Sequence, residues 1–311
     1  MLGKILSFYT RYFAVWVVLS GAAAYLYPSP FVGLKPYMDW FFALTMFGIG
    51  AVLSPDDFKR ISQKPSIVLI GTCAQFVIMP FGAFALGRIF HLPPEIAAGL
   101  VLTAAAPEAM SSGVISYIAK ADVAYSVSLT VVSTLICPVA TPVLTYLLAG
   151  KAAQFDFGAM VMGLLGMVIL PLFAGFGARR YLGNRIEKVL EIFPAISVTF
   201  IIFICSVVIA LNRNYLVMMT GTILAADLIL NVYGMAGGYA AGAIFRMDIR
   251  QRRTLAIEVG MQNAGLGTVL ALKYFGEKAA MPSAIFVFVC IITASVMAAV
   301  WQRKPNKTIT E

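Results

Sequence analysis

Apolar runs long enough to cross a bilayer recur along the whole chain, with only short polar stretches between them. Hydropathy places ten of them, at about 12–27, 37–53, 67–90, 95–119, 123–149, 158–178, 191–211, 217–245, 253–275 and 281–301. A helix of roughly 20 apolar residues spans the hydrocarbon core. In that core the backbone must satisfy its own hydrogen bonds, which leaves helices as the economical solution. The expected fold is an all-α polytopic membrane protein. A composition of 60% hydrophobic and 12% charged residues agrees, because water-soluble domains carry about twice that charge.

The net charge of +9 has a sided distribution. Lys4, Arg11, the Lys59/Arg60/Lys64 loop, Lys120, the Arg179–Lys188 loop, the Arg246–Arg253 loop, Arg303, Lys304 and Lys307 fall on one flank of the runs. The other flank keeps only Lys35, Arg88, Lys151, Arg213, Lys273 and Lys278 of the 23 basic residues. The positive-inside rule then puts both termini in the cytoplasm and favours an even number of crossings. The charge reads as an orientation signal that also contacts lipid headgroups, not as a nucleic-acid patch. The opening "MLGKILSFYTRYFAVW" lacks a small-residue cleavage site and reads as a retained cytoplasmic end. Cys73, Cys137, Cys205 and Cys290 all lie in apolar runs without disulfide or metal spacing. The single histidine, His91, lies in a loop. No transition-metal site and no catalytic triad is expected, and the chain does not read as an enzyme.

Two runs are interrupted by polar residues. "APEAMSSG" breaks the fourth and "IEVGMQNAG" breaks the ninth, at the same place in each half. Aligning Met110 with Met261 sets Ser111 and Ser112 opposite Gln262 and Asn263. Five runs per half is an odd number, so the second half would enter the membrane the other way up. This predicts two inverted repeats, 1–150 and 151–311, with fourth and ninth helices broken and crossing. Paired breaks of this kind point to a transporter binding site.

Pro107 removes a backbone donor and disfavours helix at Ala106. The freed backbone groups and nearby side-chain oxygens suit a small hard cation such as Na⁺, while a lone break would read as a packed kink. Glu258 lies inside an apolar run, and intramembrane carboxylates are costly and usually functional. Structural pairing with Arg252 or Arg253 is the other reading. Gln75 alone reads as an interhelical hydrogen bond. Ser126, Thr130, Ser133 and Thr134 share one face at helical spacing, as ordinary packing residues do. Asp227 and Asn231 share a face one turn apart, and Asp227 is equally readable as a hydrogen-bonded structural residue or a relay. Gly234, Gly238 and Gly242 repeat every four residues, a pattern for close helix packing.

"GTCAQFVIMP", "YIAKADVAYSVSLTVVSTLICP", "TLAIEVGMQNAGLG" and "MFGIGAVLSPDDF" resemble the bile acid:sodium symporter family over nearly the whole chain. The E-V-G-M-Q-N run is the most specific item. The resemblance implies a core domain at about 67–149 and 217–301 and a panel domain at about 12–53 and 158–211. It implies one sodium site from Ser112, Ser126, Thr130 and Glu258, with Glu108 as a possible addition. It implies a second from Gln75, Glu258 and Gln262 with main-chain oxygens of Val259 and Met261. Glu258 serving both would couple them. Substrate contacts are expected from Asn263, Met110, Ser111, Glu108 and Cys290. The family usually reads P-G-G before its S-N pair. Here Glu108 replaces the first glycine, Met110 replaces a polar residue and Gly113 replaces the asparagine; Cys290 and Ile291 stand where bacterial relatives can carry His-Asn.

Glu108 has four readings: a sodium ligand in place of the asparagine, a protonatable group replacing one sodium, a contact to a cationic group of an amphoteric substrate, or a snorkelling or structurally paired residue. The expected protein is a bacterial inner-membrane symporter importing an organic anion, bile-acid-like or a small carboxylate such as pantoate, by alternating access. The coupling ion is one or two Na⁺, with H⁺ as an alternative. A sodium-independent transporter of the same fold is the runner-up. Expected partners are the substrate and membrane lipid, with no nucleic acid and no obligate protein partner.

Overall fold

The computed structural model describes Leu6, Phe8, Tyr9 and residues 13–149, 155–182 and 192–303. Lys4, Arg11, Lys151, Arg185, Lys188, Lys304 and Lys307, which contributed to the sided charge pattern, lie outside the described residues. Among the described residues every regular element is a helix, and extended pairing is confined to one isolated bridge.

Helices cover each of the ten apolar runs. Helix α1 is Phe13–Leu26, α2 is the short Pro28–Val32, and α3 is Met38–Val52. Helix α4, Pro55–Gln63, lies in a loop that hydropathy leaves blank. It forms because Ser54 and Asp57 make a reciprocal capping box and Pro55 is preset for the first turn. Then come α5 (Pro65–Ile89), α6 (Pro94–Ala104), α7 (Ser112–Ile118) and α8 (Val123–Ala149). Helix α9, Phe157–Leu182, contains a π-turn at Leu165–Ile169. The chain continues with α10 (Phe193–Leu211), α11 (Arg213–Ile244), α12 (Ile249–Gly260), α13 (Ala264–Tyr274) and α14 (Ala280–Arg303). By length and apolarity alone, α5, α8, α9, α14 and the Thr220–Ile244 part of α11 are each long enough to cross a membrane. The outward faces of these helices carry Leu69, Val77, Val139, Leu147, Leu170, Ile292 and Val296, all exposed. Buried positions include Gln75, Glu108, Ser126, Asp227 and Glu258. Apolar outside and polar within is the arrangement lipid requires.

The helices pack in two groups. In one, α3 lies on α9 and α1 on α10. In the other, α5, α8, α11 and α14 pack around two short helix pairs, α6 with α7 and α12 with α13. Small residues set the closest approaches. A Cβ at Gly50 would sit 1.9 Å from the Leu172 carbonyl oxygen, and one at Gly175 would sit 2.0 Å from that of Phe47. Each of α3 and α9 thus presses its backbone against a glycine of the other. The Gly234/Gly238/Gly242 stripe does the same for α12, with Gly238 set against the Leu255 carbonyl and Gly242 against Arg252. The two groups meet where Phe200 of α10 packs on Gly265 beside the second break, and where the first turns of α9 pack on α8.

The two halves share helix-end details. After α5, His91 takes φ 49° and the Leu92 amide donates to the Gly87 carbonyl; after α11, Arg246 takes φ 55° and Met247 donates to Gly242. The flanks also differ in chemistry. Lys35–Glu277, Lys273–Asp39 and Lys278–Glu95 ion pairs collect on one side. On the other, Arg179 donates to the last carbonyls of α3, Ala51 and Val52, and Arg250 and Arg253 donate to Ala121 and Ala119 just past α7. Cations at helix C-termini offset the exposed carbonyl dipoles there.

The glycine contacts give a direct test on one helix. Gly175→Ala should destabilise the purified protein by about 1–3 kcal/mol, because its methyl overlaps backbone that cannot give way. Gly177→Ala, which meets nothing within 4 Å, should be neutral or stabilising by up to about 1 kcal/mol. Thermal unfolding in detergent reads both; equal effects would overturn the packing assignment.

Candidate functional site

The fourth and ninth runs break where expected, but with different extents. The first break is long, between Ala104 and Ser112; the second is Met261 to Asn263 only. Glu258 therefore sits within the last turn of α12, not in the break beside it.

The breaks bond to each other. The Ala109 amide donates to the Met261 carbonyl at 2.9 Å, and the Asn263 amide to the Pro107 carbonyl at 2.8 Å. This antiparallel bridge is centred on Glu108 and Gln262. The bonding pattern exchanges Pro107 with Met261 and Ala109 with Asn263, so Glu108 is the counterpart of Gln262. The alignment of Met110 with Met261 is out of register, because apolar sequence on either side carries no marker for the offset.

Three successive carbonyls at Pro107 have donors from other segments. Ala105 accepts from Thr141 Oγ1 at 2.6 Å, Ala106 from Gln75 Nε2 at 3.2 Å, and Pro107 from Asn263 N. Across the second break, Val259 accepts from Gln262 Nε2 and Gly260 from Asn231 Nδ2, each at 2.8 Å. Met261 accepts from Ala109 N and Gln262 from Ala264 N. Thr141 and Asn231 were not legible as partners of the breaks, since nothing in sequence says which carbonyl a distant hydroxyl or amide will meet.

Ser112, Ser126, Thr130 and Glu258 come together as the resemblance implies. Ser112 Oγ donates to Glu258 Oε2 at 3.0 Å and Thr130 Oγ1 to the same oxygen at 3.2 Å, while Ser126 Oγ donates to Oε1. Glu258 is 0% exposed. Glu108, 1% exposed, receives a hydrogen bond from Ser133 Oγ, and its Oε1 has no partner. Thr130 and Ser133 are three residues apart on α8, about 5 Å along the axis, so one hydroxyl-bearing face serves both carboxylates. A Cβ at Gly113 would lie 3.7 Å from Ser126 Oγ, so the asparagine missing from this position would have pointed at the same cluster.

Gln75 and Gln262 face each other as a reciprocal amide pair. Gln75 Nε2 donates to Gln262 Oε1 at 2.5 Å and Gln262 Nε2 to Gln75 Oε1 at 3.1 Å. Val259 and Met261 offer their carbonyls beside them, already bonded as described above. None of the hydrogen bonds among the described residues links Glu258 to either glutamine.

The residues expected to meet substrate differ in exposure and in what they bond to. Asn263 is 7% exposed and its Oδ1 caps α13 through the Leu266 amide at 3.0 Å. Ser111 is exposed, and Met110 packs against the buried core. Cys290 is buried, with its thiol turned back on the Val287 carbonyl at 3.4 Å. Cys137 and Cys205 are buried too, but Cys73 faces outward from α5. The arginines near Glu258 are committed elsewhere: Arg252 Nε donates to Met247, and Arg253 donates to Ala119 and lies over Trp301. Structural pairing of Glu258 with Arg252 or Arg253 is therefore set aside. Among the described residues, neither Asp227 carboxyl oxygen has a hydrogen-bond partner.

Gln75→Leu should cost about 1–3 kcal/mol, because it leaves the buried Gln262 Oε1 and the Ala106 carbonyl without this donor. Asn263→Ala should cost about 1 kcal/mol by removing a helix cap, with Asn263→Asp recovering most of it. Chemical denaturation of the purified protein measures both.

A family model described as "Sodium Bile acid symporter family" matches residues 40–219. The chain is 36% identical over 304 residues to the "Uncharacterized sodium-dependent transporter YocS" of Bacillus subtilis, covering 98% of this chain and 95% of that one. It is 33% identical over 303 residues to the "Probable sodium/metabolite cotransporter BASS1, chloroplastic" of Arabidopsis thaliana, covering 96% and 75%. A rice relative, "Probable sodium/metabolite cotransporter BASS2, chloroplastic", is 32% identical over 305 residues, covering 97% and 72%. With the family model matching more than half of its length and relatives matching almost all of it, the chain belongs to the sodium bile acid symporter family, a family of transporters and not of enzymes.

Proposed function

We propose that the protein is a secondary symporter that carries an organic anion across a bacterial inner membrane with Na⁺, by alternating access, with both termini cytoplasmic. The observation that carries this reading is electrostatic. Two carboxylates, Glu258 and Glu108, are buried on one face of α8, and neither has an ion-pair partner among the described residues. Buried charges are retained only when something offsets them. A co-transported cation does so, and the relatives carry sodium in their names.

Sodium is a hard cation that takes oxygen ligands, as Ca²⁺ and Mg²⁺ do. The Ser112, Ser126 and Thr130 hydroxyls with Glu258 supply four ligand groups of that type around one point. Turning each hydroxyl proton away from Glu258 frees its oxygen without moving a helix. The Gln75–Gln262 pair fits a second ion less directly, since each amide oxygen is spent on the partner's NH₂. An ion there has to replace an amide–amide bond, so its binding is tied to repacking of the second break. The two packing groups supply the moving parts, α1, α3, α9 and α10 as panel and the rest as core. The matched helix ends of α5 and α11 and the mutual bridge support an inverted-repeat origin.

Glu108 favours a second version, in which a proton takes the place of one Na⁺. Its Oε1 lacks a partner while Ser133 holds its other oxygen.

Thermal unfolding of the purified protein in NaCl, KCl and choline chloride tests the ion. Na⁺ at 100 times its dissociation constant should add about 2.7 kcal/mol of stability. The gain should vanish in Glu258→Ala, and equal stability in all three salts would overturn the sodium reading. Gly113→Asn should lower the Na⁺ concentration needed, because it returns an oxygen next to Ser126. If a proton replaces one sodium, Glu108→Gln keeps the Na⁺ response but loses its pH dependence. Carboxylic acids screened for further Na⁺-dependent stabilisation would identify the substrate class.

A further inference from the structure

A third buried acid lies outside this cluster. Asp227, on α11, is 0% exposed, and neither carboxyl oxygen has a hydrogen-bond partner. One turn on, Asn231 is also 0% exposed, and its Oδ1 has no partner either. Three buried oxygens on one helix face thus lack any donor. The fold has not left them empty-handed by chance of exposure, since unsatisfied polar groups in an apolar interior are costly. The other end of the Asn231 amide is committed: Nδ2 donates to the Gly260 carbonyl at the end of α12.

No ion pair to Asp227 is found among the described residues. From α14, which packs on α11, the Cys290 thiol is committed to the Val287 carbonyl. From α12, Glu258 turns the other way, onto Ser112, Ser126 and Thr130. From α5, Gln75 is held by Gln262 and the Ala106 carbonyl. From α10, the Cys205 thiol turns to Ala284, and on α11 itself Arg213 lies over Tyr25. Three oxygens make a poor cage for Na⁺, which needs more oxygen ligands. One proton is enough: it turns Asp227 into a donor, one helical turn from the unpaired Asn231 oxygen.

We infer that Asp227 and Asn231 form a buried proton-binding site behind the second break, distinct from the cluster around Glu258. The protonated carboxyl donates to Asn231 Oδ1, which leaves the Asn231 NH₂ on the Gly260 carbonyl and fixes the end of α12. When the proton leaves to water, Asp227 becomes an acceptor and draws that NH₂ to itself. Gly260 is then released, two residues from Glu258. Proton occupancy at Asp227 thereby sets how firmly the helix carrying Glu258 is held. The proposal does not depend on which ion drives transport.

Infrared spectroscopy of the purified full-length protein in lipid nanodiscs, in ²H₂O, reads the protonated-carboxyl stretch directly. The wild type and Glu108→Gln should share a band that Asp227→Asn loses and that replacing Na⁺ by K⁺ leaves unchanged. A full band in Asp227→Asn, or a wild-type band that Na⁺ abolishes, would overturn the proposal, the latter in favour of a third sodium site. If Asp227→Asn does not fold, Asn231→Leu decides: the band should shift because its hydrogen-bond acceptor is gone, and an unshifted band rejects the pairing.

Discussion

Two helices interrupted inside a membrane must find partners for every backbone group they release, because lipid offers none. Much of the interior follows from that requirement. Thr141, Gln75 and Asn231 each reach from a different helix to a carbonyl at a break, and the breaks bond directly through Ala109, Met261, Pro107 and Asn263. The crossing point is therefore tied to α5, α8 and α11 at once. Glycines complete the constraint by letting α12 approach α11 to backbone contact.

The same requirement shapes the chemistry. Among the described residues, the buried side-chain atoms left without a partner include oxygens of Glu108, Asp227 and Asn231. Glu258 takes three hydroxyls, Glu108 one, and Asp227 none. That gradation separates a preformed oxygen cluster, a half-satisfied carboxyl beside it and a bare one behind it. A transporter gains from such inequality, since a ligand shifts a conformational equilibrium only through differential affinity for its states. Here Glu108 lies in the first break, opposite Gln262, and Asn231 bonds to the carbonyl beside the second.

Much of this was legible in the residues. Pro107 with its polar neighbours, and the E-V-G-M-Q-N run, mark the breaks because apolar helices have no other reason to contain them. The Ser126–Thr130–Ser133 face is visible from spacing, though spacing alone cannot say that it holds two carboxylates. The register between the breaks was not readable, since the bridge is centred by backbone geometry and not by matching side chains. Nor was the fate of Asn263, whose side chain caps α13, or of Cys290, which turns back on its own helix. A polar side chain near a break can serve the backbone or a ligand, and only its neighbours decide which.

By itself the sequence determined that the chain is helical and membrane-embedded, that two helices are broken, and which family pattern it follows and leaves. Hydropathy, proline and charge sidedness act locally and survive without a three-dimensional context. The tertiary structure decided what each buried polar group bonds to. It set Glu108 opposite Gln262, gathered Ser112 and Ser126 onto Glu258 across more than a hundred residues of chain, and left Asp227 and one end of Asn231 unpaired. The physical reason is that hydrogen bonding acts over about 3 Å, so the partners of a buried group are fixed only when distant helices pack.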